Sequence, residues 1–326
     1  MRRTLSSILA VLLGLVFAAA LVASFISIPY YVEGPGPTPE VFPLLSVSGH
    51  PTYPSQGTFL LTSVSFRPAR AIDWVLTKID SSRSLVPSSA FLGGQTTQEE
   101  ASRARLDLQE SEFAAEYIAL RAATGYPKDR GPGALIVSIV HGCPADGPLR
   151  AGDVITAIDG RAVDGRKEAS ATLDAIPTGR QIHLQVQDAS GGTESVDLTR
   201  AQCTKKGPPL VGFSAIDNFP FHVDVNGDVG GPSGGLAYSL GLYDLLTPGD
   251  LTGGRTVAGT GSMDLSGKVY PIGGIGKKII GAERAGADVF LVPKGNMAEA
   301  QKAGSNIPLV PVGTFQDALD YLQRSS

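Results

Sequence analysis

The sequence is poor in cysteine, histidine and aromatic residues, and only 18% of its 326 residues are charged. Its 2 cysteines, Cys143 and Cys203, lie too far apart for a paired-cysteine zinc site, and its 4 histidines form no HxH or HExxH pattern. We therefore expect no metal and no cofactor. The 27 basic and 31 acidic residues are mixed along the chain, which predicts no nucleic-acid partner. No GxxxxGK(S/T) pattern occurs, so we expect no ATP-driven motor within the sequence.

An uncharged apolar run, Leu5 to Ile28, follows Arg2 and Arg3 at the N-terminus. As a helix, this run is long enough to cross a hydrocarbon core of roughly 30 Å. A cleaved signal peptide is the alternative, because the three alanines at 18–20 resemble a cleavage site, but the apolar run continues beyond them. Basic residues favour the cytoplasmic side. The sequence therefore predicts a single-pass membrane protein whose N-terminus is cytoplasmic and whose residues after Tyr30 are extracytoplasmic.

Patterning divides the chain that follows this anchor (residues 1–30). The proline-rich residues 31–56 predict a stalk. Residues 57–126 begin a globular unit, with a β-rich run at Thr58–Phe66 and a long helical pattern at 98–123 that ends before Gly125 and Pro127. Between them, residues 69–80 predict a helix with one apolar face formed by Ile72, Val75, Leu76 and Ile79.

Residues 127–206 carry a different pattern. The stretch GALIVSIVHGCPADGPLRAGDVITAIDGRAV (133–163) precedes a helical pattern at 166–176 and strand patterns at 181–187 and 195–199. This order resembles a PDZ domain of the bacterial type, with Cys143 in place of the usual serine; a small β-sandwich on the same turns is the alternative. PDZ domains bind a peptide as an added strand. The resemblance implies a protein or peptide partner, held between the first strand (134–139) and the helix (166–176).

The two cysteines bracket this PDZ segment. Outside the cytoplasm, Cys143 and Cys203 face an oxidising space, in which we expect a disulfide between them. Two free thiols are the alternative.

The segment after Gly207 carries a candidate nucleophile. A strand pattern leads into a glycine-rich turn, then to Ser233, and then to a helical pattern over residues 234–246. Backbone N–H groups and the helix dipole at a helix N-terminus stabilise a developing oxyanion. The alternative is an ordinary N-cap serine in a strand-to-helix turn.

Further motifs favour the nucleophile. The chain contains, in order, Gly231-Pro232-Ser233-Gly234-Gly235, Thr260-Gly261, Pro271-Ile272-Gly273-Gly274 and Lys278. From Phe219 to Asn296 it resembles, nearly residue by residue, the proteolytic domain of Lon proteases (peptidase family S16), and it does so more weakly to the C-terminus. The resemblance implies that Ser233 is the nucleophile and Lys278 its base, that Thr260 is the hydroxyl nearest the lysine, and that Gly231, Pro232 and Gly234 support the turn. Gly230 departs from the family, in which this position is often acidic.

A lysine accepts a proton only when it is neutral, so its pKa must fall by roughly 3 from a reference value of about 10.4. Burial lowers the pKa of a lysine, so the candidate base is expected on the buried face of its helix. On a helical wheel Lys278 falls on the apolar face formed by Ile275, Ile279, Ala282 and Ala285, whereas Lys277 falls beside Arg284. The wheel selects Lys278, as the resemblance does.

His222 and Asp224 suggest a Ser-His-Asp triad as an alternative. They precede Ser233 on a predicted strand, where an alternation of two residues puts both on one face. We keep His222 as the alternative base.

With the anchor, these features resemble the membrane-bound, PDZ-containing Lon-like proteases of bacteria, which use no ATP. We expect an α+β fold in which residues 57–126 and 207–326 form one Lon-type proteolytic domain, with the PDZ domain inserted at 127–206. The expected protein is an ATP-independent serine endopeptidase that acts outside the cytoplasm, and the resemblance allows a homo-oligomeric ring. A non-enzymatic PDZ scaffold or sensor, and a signal peptidase-like hydrolase with the same dyad, are the alternatives.

Overall fold

The computed structural model of the protein describes residues 2–188, 191–203, 209–225 and 232–325. Within these ranges the α-helices are α1 (Arg2–Ala23), α2 (Asp73–Ile79), α3 (Ser88–Leu92), α4 (Thr97–Ala123), α5 (Arg166–Ala175), α6 (Gly235–Leu246), α7 (Ile275–Arg284), α8 (Met297–Ala303) and α9 (Phe315–Ser325). The strands are β1 (Ser27–Pro35), β2 (Leu45–Ser48), β3 (Thr58–Leu61), β4 (Val64–Arg70), β5 (Ser84–Pro87), β6 (Ala134–Ile139), β7 (Val154–Ile158), β8 (Arg161–Ala162), β9 (Gln181–Gln187), β10 (Thr193–Thr199), β11 (Ala201–Gln202), β12 (Pro209–Leu210), β13 (Phe213–Asp217), β14 (His222–Val225), β15 (Thr256–Gly259), β16 (Ser262–Met263), β17 (Val269–Tyr270), β18 (Val289–Pro293) and β19 (Leu309–Val312). This mixture of helices and strands agrees with the predicted fold class.

A parallel four-stranded sheet forms the centre of the larger unit, in the order β19, β18, β15 and β3. Strand β3 precedes the PDZ segment in the sequence, and the other three strands follow it. Leu60 of β3 lies opposite Ala258 of β15, which fixes the register. Polypeptide from both sides of the PDZ segment therefore builds one sheet.

Helices cover both faces of this sheet. On one face, Phe59 and Val257 pack in a core that includes residues of α4, α6 and α9. On the other face, Leu60, Ala258 and Phe290 pack against α7 and α8. Because strand residues alternate between the faces, α6 and α7 lie on opposite sides of the sheet, and side chains from both helices can meet beyond its end.

The predicted stalk, residues 31–56, is instead part of the folded unit. Strand β1 pairs with β4 and β5 in an antiparallel sheet, and β2 pairs with β14. Val41 is fully buried in the core that contains α6. Proline is tolerated at strand ends and edges, so a proline-rich segment can still form short strands.

The β-rich run Thr58–Phe66 forms two strands rather than one, and the strands belong to different sheets. Thr62 and Ser63 lie between them. The hydroxyl of Thr62 donates to the Gly259 carbonyl at 3.5 Å, and that of Ser63 donates to the Pro37 carbonyl at 2.7 Å. Both acceptors are distant in sequence, so tertiary hydrogen bonds hold the two residues at the break between the strands.

The helix predicted at residues 69–80 forms as α2, and its apolar face is exposed. Val75 is 56% exposed and Ile79 is 79% exposed. The N–H of Ala71, just before α2, donates to the Ile26 carbonyl, just after α1.

Large apolar side chains of α1 are exposed as well, from Val11 to Val22. No helix in the described part of the chain is long and apolar enough to span a membrane.

The PDZ segment folds as a sheet in the order β10, β9, β7, β6 and β13, with β8 beside β7. Ile136, Ile155 and Leu184 are fully buried in its core, and Leu173 of α5 packs on them. The sequence predicted that this domain ends at residue 206. Its edge strand, β13, lies beyond that residue.

This edge strand corrects the predicted peptide groove. Strand β13 pairs antiparallel with β6, with Phe213 opposite Ile139, and so occupies the space beside residues 134–139. The free edge next to α5 belongs to β13 instead. The sequence prediction was wrong because pairing between strands so distant in sequence is a tertiary contact, which local patterning does not reveal.

Cys143 and Cys203 form a disulfide, with their Cα atoms 5.0 Å apart. Cys143 lies in the turn after β6 and Cys203 follows β11, so the bond ties the two ends of the PDZ segment together. Gly212 packs against this bond. Its φ is +98°, and a Cβ there would lie 2.0 Å from the Cβ of Cys143, so only glycine fits.

Replacing both cysteines (Cys143→Ser/Cys203→Ser) is expected to lower the free energy of unfolding by about 2–4 kcal/mol, because the bond closes a long loop. Urea unfolding followed by circular dichroism measures this loss. The native, unreduced protein is expected to take up no iodoacetamide in intact-mass analysis. Alkylation of both cysteines under those conditions would contradict the pairing.

Candidate active site

Ser233 lies in the 3₁₀ turn Pro232–Gly234, which leads into α6. Its carbonyl oxygen accepts the N–H of Gly261 at 2.8 Å and the hydroxyl of Thr260 at 3.2 Å. These two residues directly follow β15, so the end of the central sheet fixes the turn. Gly261 has a φ of +150°, and a Cβ there would lie 2.5 Å from Val269, so a larger residue would displace the turn's anchor.

Helix α4 holds the same turn from another side. Ser111 is 3% exposed, and its hydroxyl donates to the Pro232 carbonyl at 2.7 Å. It lies at helical spacing among the buried Leu108, Ala115 and Ile118. The sequence analysis did not identify Ser111; the available signal was a polar residue on an apolar helical face.

Lys278 approaches Ser233 from α7, on the opposite face of the sheet. Its Nζ lies 2.6 Å from the Oγ of Ser233 and 3.0 Å from the Oγ1 of Thr260. Ile279 and Ala282, on the same face of α7, are fully buried. The structure therefore brings Ser233, Thr260 and Lys278 together at one end of the sheet.

The surroundings of Lys278 favour its uncharged form. The residue is 3% exposed, whereas its neighbour Lys277 is half-buried. Burial disfavours an ammonium group, and this desolvation lowers the pKa of Lys278 to about 7. In the described ranges no carboxylate forms an ion pair with its Nζ. A large fraction of Lys278 is therefore a neutral amine near pH 7.

A cleft of about 400 Å³ opens beside Ser233 and Lys278. The loop Pro271–Gly274 forms one wall, and Val64 and Phe66 of β4 contribute to another. Of the predicted supporting residues, Pro232 lines the cleft, Gly234 is buried in the turn, and Gly231 lies outside the described residues.

Asn296 clamps the loop Pro271–Gly274. Its Oδ1 accepts the N–H of Ile272 at 2.8 Å, and its Nδ2 donates to the Ile272 carbonyl at 2.9 Å. The side chain is 5% exposed, so both bonds are largely shielded from water. This pair of bonds fixes the cleft wall next to the helix that carries Lys278. The sequence analysis did not predict this role, because the contact joins two distant loops.

His222 and Asp224 lie elsewhere. The Nε2 of His222 is 2.9 Å from the Oδ1 of Asp224, and their side chains are 56% and 52% exposed. Both line a different cleft, together with Glu116. Burial, with the charges of Glu112 and Asp224, raises the pKa of Glu116. Among the described side chains, no hydrogen bond joins His222 or Asp224 to Ser233 or Lys278, so the triad is not assembled.

A second groove, also about 400 Å³, lies between β13 and α5. The N–H of Val140 donates to the Gly212 carbonyl at 2.8 Å. By the alternation of an antiparallel pair, the backbone groups of Phe213 and Ala215 then face the groove. Val140, Phe213 and Leu173 give one end of it an apolar lining. We call this the peptide groove, since an exposed strand edge beside a helix can accept an added strand.

Two domain profiles match the chain. The Lon protease (S16) C-terminal proteolytic domain matches residues 198–318. The PDZ domain matches residues 135–188. The first range contains Ser233, Thr260 and Lys278, and the second contains β6, β7, α5 and β9.

Individual Lon proteases are similar to part of the chain. Lon protease 2 of Herpetosiphon aurantiacus is 34% identical over 151 residues, which cover 46% of this chain and 17% of that protein. The Lon protease of Roseiflexus castenholzii is 36% identical over 125 residues, which cover 37% of this chain and 15% of that protein. The chain thus spans less than a fifth of the length of these relatives.

A solved structure, the PDZ domain of the SdrC-like protein from Listeria innocua, aligns with 26% of this chain and 92% of its own, at 26% identity and a TM-score of 0.24. The profile matches lie on the two folded units described above. The chain contains a Lon-type C-terminal proteolytic domain and a PDZ domain.

Proposed function

We propose that the protein is a serine endopeptidase in which Ser233 is the nucleophile and Lys278 is the general base. The observation that carries this proposal is the 2.6 Å separation of Lys278 Nζ and Ser233 Oγ at a lysine that is 3% exposed. A buried amine with a lowered pKa has the protonation state that serine activation requires. The match to a Lon-type proteolytic domain supports a serine peptidase.

In the first half of the reaction, neutral Lys278 accepts the hydroxyl proton of Ser233 as Oγ attacks the carbonyl carbon of the peptide bond. The negative charge that develops on the carbonyl oxygen is stabilised by backbone N–H groups at the start of α6, with the N–H of Ser233 as the first donor. The intermediate then collapses. The Lys278 ammonium returns the proton to the leaving amine, and an ester to Ser233 remains.

In the second half, Lys278 accepts a proton from a water molecule, whose oxygen attacks the ester carbonyl. Collapse of this second intermediate releases the carboxylic acid, and the proton returns from Lys278 to the Oγ of Ser233. Thr260 positions both partners, since its Oγ1 contacts Lys278 and donates to the Ser233 carbonyl.

We propose further that the PDZ domain selects protein substrates and that hydrolysis uses no ATP. The peptide groove between β13 and α5 supports the first statement, because the edge of β13 that faces it pairs with no strand among the described residues. The lack of a phosphate-binding motif in this sequence favours the second. A non-enzymatic scaffold would retain peptide binding without hydrolysis, and apyrase treatment of an active preparation tests the need for nucleotide.

We also propose that the N-terminal segment anchors the protein in a membrane, with the catalytic unit on the extracytoplasmic side. Arg2 and Arg3 ahead of an uncharged apolar run support this orientation. Trp74 and Ile79 of α2 are 51% and 79% exposed beside the end of α1. An exposed apolar face at that position is suited to the headgroup region of a bilayer.

Ser233→Ala is expected to reduce peptide hydrolysis by about 10⁴-fold or more, because it removes the nucleophile. Lys278→Met, which keeps the side-chain length, is expected to cost about 10²–10⁴-fold through loss of the base. Lys277→Met is the matched control and should retain at least half of the activity. Steady-state cleavage of an unfolded protein substrate measures all three. Equal losses at the two lysines would contradict the assignment of Lys278.

The pH profile is expected to follow Lys278. Below pH 7 the lysine becomes charged and cannot accept the Ser233 proton, so kcat/KM should rise as pH increases through about 7 and level off above it. His222→Gln should leave this limb in place, since His222 does not contact Ser233. A limb that His222→Gln removes, with activity persisting in Lys278→Met, would favour the triad instead.

The full chain is expected to sediment with bacterial membranes and to resist extraction by alkaline carbonate, whereas a chain that begins at Ser27 should be released. Proteinase K added to spheroplasts, in which the cytoplasmic membrane is intact, should digest the anchored catalytic unit, because that unit is extracytoplasmic. Release of the full chain by carbonate, or its protection from the protease, would contradict the proposed anchor or its orientation.

A further inference from the structure

A cleft of about 790 Å³ lies where the PDZ domain meets the proteolytic unit. We call it the junction cleft. Arg166, Lys167 and Asp217 line it from the PDZ side, and Tyr117 of α4 and Leu265 line it from the proteolytic side. The catalytic steps proposed above make no use of this cleft.

The junction cleft continues the peptide groove, since Arg166 and Ala215 line both. At this end of the groove, the backbone N–H of Arg166 donates to the Asp217 carboxylate at 2.9 Å. At the other end, Leu173 of α5 lies across from Phe213. Helix α5 therefore runs antiparallel to β13, and the groove leads from Phe213 to the junction cleft.

The far end of the groove is suited to a carboxyl terminus. Gly212 packs against the Cys143–Cys203 disulfide there, which closes that end. Arg200 lies beside it, with NH1 donating to the Leu173 carbonyl at 3.1 Å and the Ile176 carbonyl at 2.9 Å, and with NH2 3.5 Å from the Asp174 carboxylate. A bound tail that ends here can leave the groove only towards the junction cleft.

The junction cleft is lined by four basic side chains (Lys128, Arg130, Arg166 and Lys167) and three acidic ones (Asp164, Glu168 and Asp217), which gives a net charge of +1. Asp164 and Asp217 lie 2.5 Å and 3.8 Å from Arg130, and the Glu168 carboxylate accepts the backbone N–H of Asp164 at 2.8 Å. In the described ranges no ion pair involves the cleft residues Lys128, Arg166 and Lys167, and all three are exposed. The cleft therefore favours a negatively charged ligand.

The junction cleft also borders the catalytic cleft. Leu265 lies in the turn between β16 and β17, and Ser262 of β16 lines the cleft beside Ser233. Three residues span at most about 11 Å, so one short hairpin separates the two clefts. A chain that leaves the peptide groove through the junction cleft is thereby directed towards Ser233.

We propose that the junction cleft binds an acidic segment of the substrate, located just before the carboxyl-terminal residues that the peptide groove holds. This proposal rests on the proposed function, because it extends PDZ selection of protein substrates. The substrates are then proteins with an apolar carboxyl terminus and an acidic stretch upstream of it. The scissile bond lies N-terminal to both.

The length of β13 sets the register of that segment. An added strand rises about 3.4 Å per residue, so the run from Phe213 to Asp217 pairs with roughly the last four or five residues of a tail. The residues that reach Arg166 and Lys167 are then about the fifth to eighth from the carboxyl terminus.

The test uses the full chain with Ser233→Ala, which binds without cleaving. The probes are fluorescein-labelled 12-residue peptides with free carboxyl termini, whose last four positions are randomised among apolar residues. Positions five to eight from the end are Glu-Asp-Glu-Asp in one set and Ser-Gln-Ser-Gln in the other. Fluorescence anisotropy at low salt is expected to give about fivefold or tighter binding for the acidic set, and added salt should reduce the difference.

Lys128→Glu/Lys167→Glu is expected to abolish or reverse the preference for the acidic set, while binding of the neutral set stays within twofold. Lys302→Glu/Arg324→Glu carries the same change in net charge on exposed residues of α8 and α9, outside the lining of the cleft, and should keep the preference. Equal binding of both sets, or equal effects of the two charge variants, would overturn the proposal. If neither set binds, the PDZ domain does not bind free carboxyl termini. That result would overturn both the acidic site and the proposed selection of substrates by the PDZ domain. It would leave the proposed catalysis by Ser233 intact, because hydrolysis is measured in a separate assay.

Discussion

The buried amine of Lys278, whose pKa burial lowers to about 7, is the constraint on which the rest of the site depends. Outside the protein core a lysine would be an ammonium, unable to accept a proton from a serine. Helix α7, which packs on one face of the sheet, buries Lys278. Ser233 lies in the turn that leads into α6 on the other face, so the two side chains meet beyond the end of the sheet. Thr260 and Gly261, which follow β15 directly, join them there.

In the sequence, the PDZ domain lies between strands of the central sheet of the proteolytic unit. The sheet that carries Thr260 includes β3, from before the insertion, and three strands from after it. The edge strand of the PDZ sheet, β13, is also the last element before β14, which pairs with β2 in the proteolytic unit. The strand that borders the peptide groove therefore belongs to the polypeptide that leads on to Ser233. In the proposed function, this short covalent path links capture of a substrate tail to cleavage of the chain upstream of it.

Local patterning accounts for much of the site. The helical wheel distinguished Lys278 from Lys277 because burial on one face of a helix repeats every three to four residues. The long helix at 98–123 matches α4, for which Gly125 supplied a stop signal. The roles of Ser111 and Asn296 could not be predicted from the sequence, because each residue bonds to a loop distant in sequence. A hydrogen bond between such distant segments leaves no periodic pattern in the sequence.

The sequence predictions that were wrong share one cause. The stalk, the single strand at Thr58–Phe66 and the position of the peptide groove each required knowledge of which distant segment lies alongside. The proline content of residues 31–56 predicted a stalk, because it could not show that β1 pairs with β4. Likewise the residues of β13 have the composition of a strand, but their pairing with β6 is decided by tertiary packing.

The most direct test of the account is the protonation of Lys278 itself. In protein labelled with ¹³C,¹⁵N-lysine, the Nζ resonance of Lys278 can be assigned by its loss in Lys278→Met and followed as a function of pH. We expect a transition near pH 7. A Lys278 resonance that titrates near the reference lysine pKa of about 10.4 would contradict the proposal that this residue is the neutral base of the site.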